Sequence, residues 1–273
     1  DGYRNSAFCM TVGYPGSTSR YLSSWGIDER INAINVSTIQ VRGKKQEVWK
    51  RFMDADRAVG IKYASKWASS SNYWKNSIGM NKAIAELGII EQKRQTEDKI
   101  RQWYSSREDL TDRFGDMFSQ LGQAYQSRHD GIYAMGFFRE TFMRGIELYR
   151  LGNMLNSMPQ DASPDEAGQV RSRMAAFLKD YDPTLDEATM ATLLQNYREQ
   201  VPDRRFWPAC YATIDSLFGG NEAAYAHVGR GKSPRRQHPP NHGPRPPLRR
   251  RHPRHDAGDR QLEQPGHHHH RLQ

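Results

Sequence analysis

Two short segments carry residue types that could do chemistry: GYPGSTSRYLSSWGI (Gly13–Ile27) and SSSNYWKNSIGMNK (Ser69–Lys82). In the first, Gly13 and Gly16 bracket a turn, and Ser17 and Thr18 follow it. That is the setting of a phosphate loop or of a nucleophilic serine. A Walker loop needs lysine after its second glycine, and Ser17 stands there. A nucleophilic serine needs a base within hydrogen-bond reach and a third group to orient that base. Before Val228 the chain offers only His129 and His227 as imidazole bases. His129 lies in QSRHDGIY, which reads as a loop or kink between helices, and Asp130 is its neighbour in sequence without any implied geometry. Ser17 is therefore read as part of a structural strand-to-helix turn, and no catalytic residue is assigned.

The second segment centres on Asn72. A side-chain amide oxygen can accept a hydrogen bond from an ammonium group without adding a charge. Asn72 also follows Ser69-Ser70-Ser71, where it equally fits a helix or turn cap, and the residues alone favour the cap. Tyr73 and Trp74 read as packing residues beside it. Two further signals sit near the C-terminus: Arg249-Arg250-Arg251 suggests nucleic acid and His267–His270 suggests a metal. From Val228 onward there is no aromatic side chain on which a base could stack. Four adjacent histidines lack the ligand spacing of a closed structural site. No metal and no cofactor is assigned.

Charge sharpens the same point. The chain has 273 residues, 40 basic and 31 acidic, for a net charge of +9. From Arg230 onward there are 11 basic and 3 acidic residues, which leaves 29 against 28 for everything before it. A nucleic-acid reading would rest almost wholly on the tail. Cys9 and Cys210 have no motif spacing and are expected to be two buried thiols rather than a disulfide. No apolar run approaches the roughly 18 residues of a membrane span, and no secretory leader pattern is visible.

The elements that must hold these residues are mostly helical. Ala7–Tyr14 (AFCMTVGY) reads as one β-strand stopped by Pro15-Gly16, a pair suited to a type II turn. One strand cannot satisfy its own edges, so its partners are expected outside this chain. From about Ser19 the apolar period becomes helical. Val48, Phe52, Ala55, Val59, Tyr63 and Trp67 predict one face of a long helix. Leu110, Phe114, Met117, Phe118, Leu121, Ala124 and Tyr125 form a second stripe, and Phe138, Phe142, Ile146 and Tyr149 continue it. EQKRQTEDKIRQ (Glu91–Gln102) predicts a solvated helix face with Glu97 and Arg101 paired at i,i+4. Helix starts are expected at Ser163-Pro164-Asp165-Glu166 and at Thr184-Leu185-Asp186-Glu187, both capping boxes. Pro202 is expected to end the second of these helices, and a last amphipathic piece runs from about Arg204 to Phe218. The tail from about Val228 holds 8 of the 14 prolines and 8 of the 10 histidines. Such a segment buries too little apolar surface to offset its ordering entropy and is expected to be disordered.

The two opening segments, at this separation, resemble the bacterial serine dipeptidyl peptidases of the dipeptidyl-peptidase seven and dipeptidyl-peptidase eleven family. The resemblance covers about Asp1 to Tyr225. It implies a chymotrypsin-like double β-barrel with a large helical domain inserted into it. The family's catalytic histidine and aspartate precede the GYPG turn, and its serine lies near the C-terminus in a GNSGSP-like string. Neither that string nor the TGDFS-like one around the aspartate occurs here. By resemblance, then, residues 1–16 are the terminal strand and turn of the catalytic barrel, 17–225 are the helical substrate-capping domain, and 226–273 are a basic tail. The expected fold class is mostly α, a long-helix bundle with that one N-terminal strand. The resemblance further implies that Asn72 helps hold the free α-amino group of a peptide substrate, that the intact enzyme is a homodimer, and that it resides in the periplasm or at the cell surface of a Gram-negative bacterium. It implies neither metal nor organic cofactor, and no triad within this chain. Past FGGN the family's pattern stops and Arg, Pro, His and Gly take over, as an out-of-frame reading of a GC-rich gene would produce. The alternative is a non-enzymatic helical interaction module with a basic tail that contacts nucleic acid.

Overall fold

The computed structural model describes residues 4–10, 13, 18–220 and 225. The chain divides into two units, 1–234 and 235–273, and the second lies outside the described residues. Ser23 begins the helical part. Its Oγ accepts from the Gly26 N–H at 3.1 Å and caps α1 (Ser24–Glu29). Helix α1 runs through a π-helical turn, Arg30–Asn35, into α2 (Val36–Ala55). The wider π turn loosens the normal hydrogen-bond ladder. Asn81 donates its amide to the Ile31 carbonyl there, and Asn35 donates in turn to Asn81.

Asp56 breaks the helix. It is extended (φ −137°, ψ 117°), and its carboxylate accepts from the Ala58 N–H at 2.7 Å to cap α3 (Arg57–Glu86). The stripe from Val48 to Trp67 is thus not one helix face. It folds back on itself at a single residue, an αα-hairpin. Trp49 meets Tyr63, Arg42 meets Ser70, Trp74 meets Ile39 and Asn35 meets Asn81, so the two helices run antiparallel. Ser70, Ser71 and Ser77 are buried along α3, where small side chains let it approach α2 closely.

Gly88 (φ +58°), in the left-handed region that suits glycine, turns the chain into α4 (Ile89–Ser105). Then follow α5 (Glu108–Phe114), α6 (Met117–Phe138), a second π turn (Arg139–Met143) and α7 (Glu147–Asn156). Helix α8 (Pro164–Lys179) starts at Ser163 with both bonds of its capping box in place. Helix α9 (Pro183–Gln200), a 3₁₀ turn (Arg204–Phe206) and α10 (Cys210–Phe218) complete the fold. The main core lies where α2, α6, α9 and α10 meet, built around Val41, Phe137, Leu193, Tyr197 and Tyr211. Gly145 is required in the turn that follows the π turn. A Cβ there would lie 2.4 Å from both Leu193 Cδ1 and the Thr141 carbonyl oxygen.

Several expectations are corrected. His129 and Asp130 lie inside α6, not in a loop or kink. Helix α9 begins two residues earlier than expected: Asp182 caps it, accepting from Thr184 and Leu185 N–H, with Pro183 first in the helix. Glu97 is not on a solvated face. It is buried and takes both the N–H and the Oγ–H of Ser24 at 2.6 Å, while Arg101 pairs with Asp98. Cys9 and Cys210 are free but exposed, because each sits on a surface segment. Among the described residues there is no strand. Ala7–Met10 are irregular and exposed. Residues 11, 12 and 14 of the expected strand lie outside the described residues, as do Ser17, His227, Arg249–Arg251, His267–His270 and the remainder of the tail.

Candidate functional site

Asn72 sits in the middle of α3, about four turns from its start. A mid-helix position cannot be a cap, so the capping role is excluded. The side chain is exposed, and no hydrogen bond to it exists among the described residues. Its neighbours divide by helical phase. Ser70, Ser71 and Ser77 face α2 and are buried; Asn72, Tyr73, Lys75 and Asn76 are exposed. Trp74 is half-buried and donates its indole N–H to the Ile39 carbonyl at 3.0 Å, so it is a packing residue. Tyr73 is 58% exposed, and its ring lies over the Arg42 guanidinium at 4.9 Å.

Against the buried face of α3 lies a polar lattice. Arg42 on α2 grips Glu140 with two bonds, Nε to Oε2 at 2.7 Å and Nη2 to Oε1 at 3.3 Å, and donates Nη1 to the Ser70 carbonyl at 3.4 Å. Arg144 adds a third bond to Glu140 at 2.8 Å. Burial pushes the Glu140 carboxyl up, but the hydrogen bonds and charges of Arg42 and Arg144 outweigh it and hold the group below the usual carboxylate range. Lys45, one turn from Arg42, is buried over the Trp49 ring and donates to the Arg144 carbonyl at 3.0 Å. Burial, with Arg42 beside it, lowers its ammonium to about 8.

A second cluster anchors the start of α7. Glu147 accepts from the Tyr63 hydroxyl and pairs with Lys66 at 2.7 Å. Asp186 on α9 accepts the N–H groups of Glu147 and Leu148, each at 2.8 Å. Helix α7 has no side-chain cap of its own, so Asp186 caps it from another helix. Burial raises the Asp186 carboxyl, and the two N–H bonds oppose that shift. These linkages join segments up to 99 positions apart. Arg42 and Glu140 carry no local motif, and the sequence reading missed both. The available signal was the spacing of Arg42, Lys45, Gln46 and Trp49, a helical stripe that a charged residue rarely occupies.

Among the described residues no acid–base constellation accompanies Asn72. His129 Nδ1 lies 3.3 Å from Asp130 Oδ1 on an exposed face of α6, with no serine bonded to it among the described residues. Among the described residues no group of three or more His, Cys, Asp or Glu could hold a metal ion. No described helix is long and apolar enough to cross a membrane. What the site offers is an uncharged acceptor on a rigid helix.

The described residues form a helical domain in which Asn72 is an exposed side-chain amide on α3. Comparison with known proteins gives the family. The Peptidase S46 family model matches residues 1–232, and the chain belongs to that family. It is 38% identical over 225 residues to dipeptidyl-peptidase 7 of Porphyromonas gingivalis, covering 82% of this chain and 31% of that protein. It is 28% identical to the Asp/Glu-specific dipeptidyl-peptidase of Flavobacterium psychrophilum, covering 79% of this chain and 31% of the relative. In structure it is similar to Porphyromonas endodontalis DPP11 solved with the dipeptide Arg-Glu, at a TM-score of 0.62 and 24% identity, covering 79% of this chain and 31% of that one. That likeness establishes the helical fold. The chain spans less than a third of the length of these relatives.

Proposed function

We propose that this chain is the substrate-capping helical part of a serine-type dipeptidyl peptidase, with residues 17–225 forming the cap and 1–16 belonging to the catalytic barrel. The intact enzyme would release dipeptides from peptides with a free N-terminus by acyl transfer through a serine. That serine and its base would lie in the parts of the longer protein that this chain does not span. In this reading Asn72 accepts a hydrogen bond from the substrate α-ammonium group, which has three donors and no acceptor. Holding the amine at a fixed distance from the scissile bond, and closing the far side of the cleft, turns an endopeptidase-like barrel into an exopeptidase.

The observation that carries the reading is the state of Asn72: exposed, mid-helix and without a hydrogen bond among the described residues, on a helix tied firmly to its neighbours. A structural asparagine would be expected to use its amide internally, as Asn35 and Asn81 do. The names of the relatives support a peptide substrate. They include both dipeptidyl-peptidase 7 and Asp/Glu-specific members, so the residue preferred before the scissile bond is left open. The intact enzyme is read as a homodimer of the periplasm or cell surface.

The test is Asn72→Ala in the full-length enzyme. The expected loss is about 1–3 kcal/mol of transition-state binding for dipeptide substrates, that of a hydrogen bond to a charged group. The melting temperature should not change, because the side chain is exposed and makes no bond among the described residues. An unchanged kcat/KM would falsify the assignment.

A further inference from the structure

We propose that Arg42 is a positioning residue for Asn72, holding the amide where the substrate amine must find it. The inference rests on the reading of Asn72 as the amine acceptor. Its own support is geometric. Arg42 engages α3 from its buried face at positions that flank Asn72 in sequence, while making no bond to Asn72 itself. Before Asn72 its Nη1 donates to the Ser70 carbonyl at 3.4 Å; after it its guanidinium lies against the Tyr73 ring at 4.9 Å. Its remaining nitrogens are fixed by Glu140, whose carboxylate Arg144 holds from the far side. Glu140 belongs to the π turn that follows α6, so one guanidinium ties α2, α3 and that turn together at the Asn72 level.

The residue type fits the task. Guanidinium is planar and presents a rigid fork of donors, so it can satisfy a carboxylate edge-on and still direct a nitrogen elsewhere and a face at a ring. A lysine ammonium is a point charge on a flexible stem and cannot do all three. A hydrogen bond to a substrate ion depends steeply on placement, and a shift of about 1 Å in a positioning group can lower a rate by a large factor.

The experiment is a double-mutant cycle in the full-length enzyme, read as kcat and KM on a free-amine dipeptidyl substrate. Two variants replace Arg42. Arg42→Lys keeps the charge and the buried stem. Arg42→Met is combined with Glu140→Gln so that no buried carboxylate is left unpaired. Each is made alone and on the Asn72→Ala background. If Arg42 acts through Asn72, each variant lowers kcat/KM by about tenfold, with the same division between kcat and KM as Asn72→Ala, and changes it by less than about twofold once Asn72 is gone. Lysine does not rescue.

Additive losses on the two backgrounds would overturn the proposal. So would rescue by lysine, or a loss that only follows the folded fraction seen by circular dichroism. If Asn72→Ala is itself silent, the amine-binding reading is what fails; if Asn72→Ala is damaging and the Arg42 effects simply add to it, only the positioning role fails.

Discussion

Lys45 shows how a single side chain can work against the fold and still be built into it. Lys45 is 3% exposed, with Arg42 a turn away, and both facts disfavour its charge. Glu140 and Glu147 oppose the shift without cancelling it, and the group titrates at about 8 against an ordinary value of 10.5. Below the folded value, both folded and unfolded chains carry the proton, and the folded state bears the full penalty of a buried charge. Between about 8 and 10.5 the unfolded chain binds a proton that the folded chain has released, so stability rises with pH. The penalty relieved across that window is on the order of 3 kcal/mol. Methionine has a similar stem and cannot titrate. The difference in melting temperature between the natural protein and Lys45→Met should therefore shift in favour of the natural protein as pH rises from 7.5 to 10. A difference that stays flat over that range would show that Lys45 titrates normally. Asn72 is the opposite case at the same scale. Its residue type and surroundings could be read from sequence, but not the fact that settles its capping role. Only placing α3 through the whole Ser69–Lys82 segment shows that it stands mid-helix.

Between elements, the fold depends on bonds that no local pattern announces. Asp186 caps α7 from α9, satisfying the N–H groups of Glu147 and Leu148. Removing that carboxylate strands two donors, one of them on a buried residue. Asp186→Ala should cost about 2 kcal/mol or more, the penalty of buried unpaired N–H groups, whereas Asp186→Asn keeps one acceptor and should lose less. Chemical denaturation of the two variants gives the comparison, and equal losses would show that the capping geometry is not what matters. The sequence had suggested a different job for Asp186, as an interior residue of a capping box begun by Thr184. Ser163-Pro164 and Asp182-Pro183 follow one rule, a capping oxygen followed by proline at the first helical position. The rule was legible at Ser163 because no competing box overlapped it. At Asp182 the pattern Thr184-x-x-Glu187 lay two residues on and obscured it. The break at Asp56 was invisible for a related reason. Asp56-Arg57 contains neither glycine nor proline, and the apolar spacing runs across it without a gap, since both halves of the hairpin bury the same kind of face. Glu97 was misjudged because its charged neighbours are local while its partner, Ser24, lies 73 positions away.

At the scale of the whole molecule, composition divides the chain more clearly than periodicity does. The near-neutral body and the change of character after residue 225 could be read from residue types, because they are sums over many positions, whereas the helical class came from the apolar period. The last described residue is tied into the main core. Tyr225 is 3% exposed within the main core, and its hydroxyl accepts from Arg198 Nη1 at 2.8 Å. Arg198 is also bound by both carboxylate oxygens of Asp215, at 2.6 and 2.9 Å, and by the Gly220 carbonyl at 3.2 Å. Tyr225 therefore closes a site that α9 and α10 have already half built. The 48 residues beyond it carry no aromatic side chain and an excess of eight positive charges, a composition that offers no core. Two changes seven atoms or forty-eight residues in size should thus rank in the reverse order of their size. Ending the chain at Tyr225 should leave the helical circular dichroism and the melting temperature unchanged. Tyr225→Ala in the full chain should cost about 3 kcal/mol or more, as for other large aromatic truncations in a core. For a folded body of this length that corresponds to a fall of roughly 6–12 °C. A truncated chain that melts lower than the full one would mean that the basic segment contributes to the folded unit, and the boundary would have to be drawn beyond Tyr225.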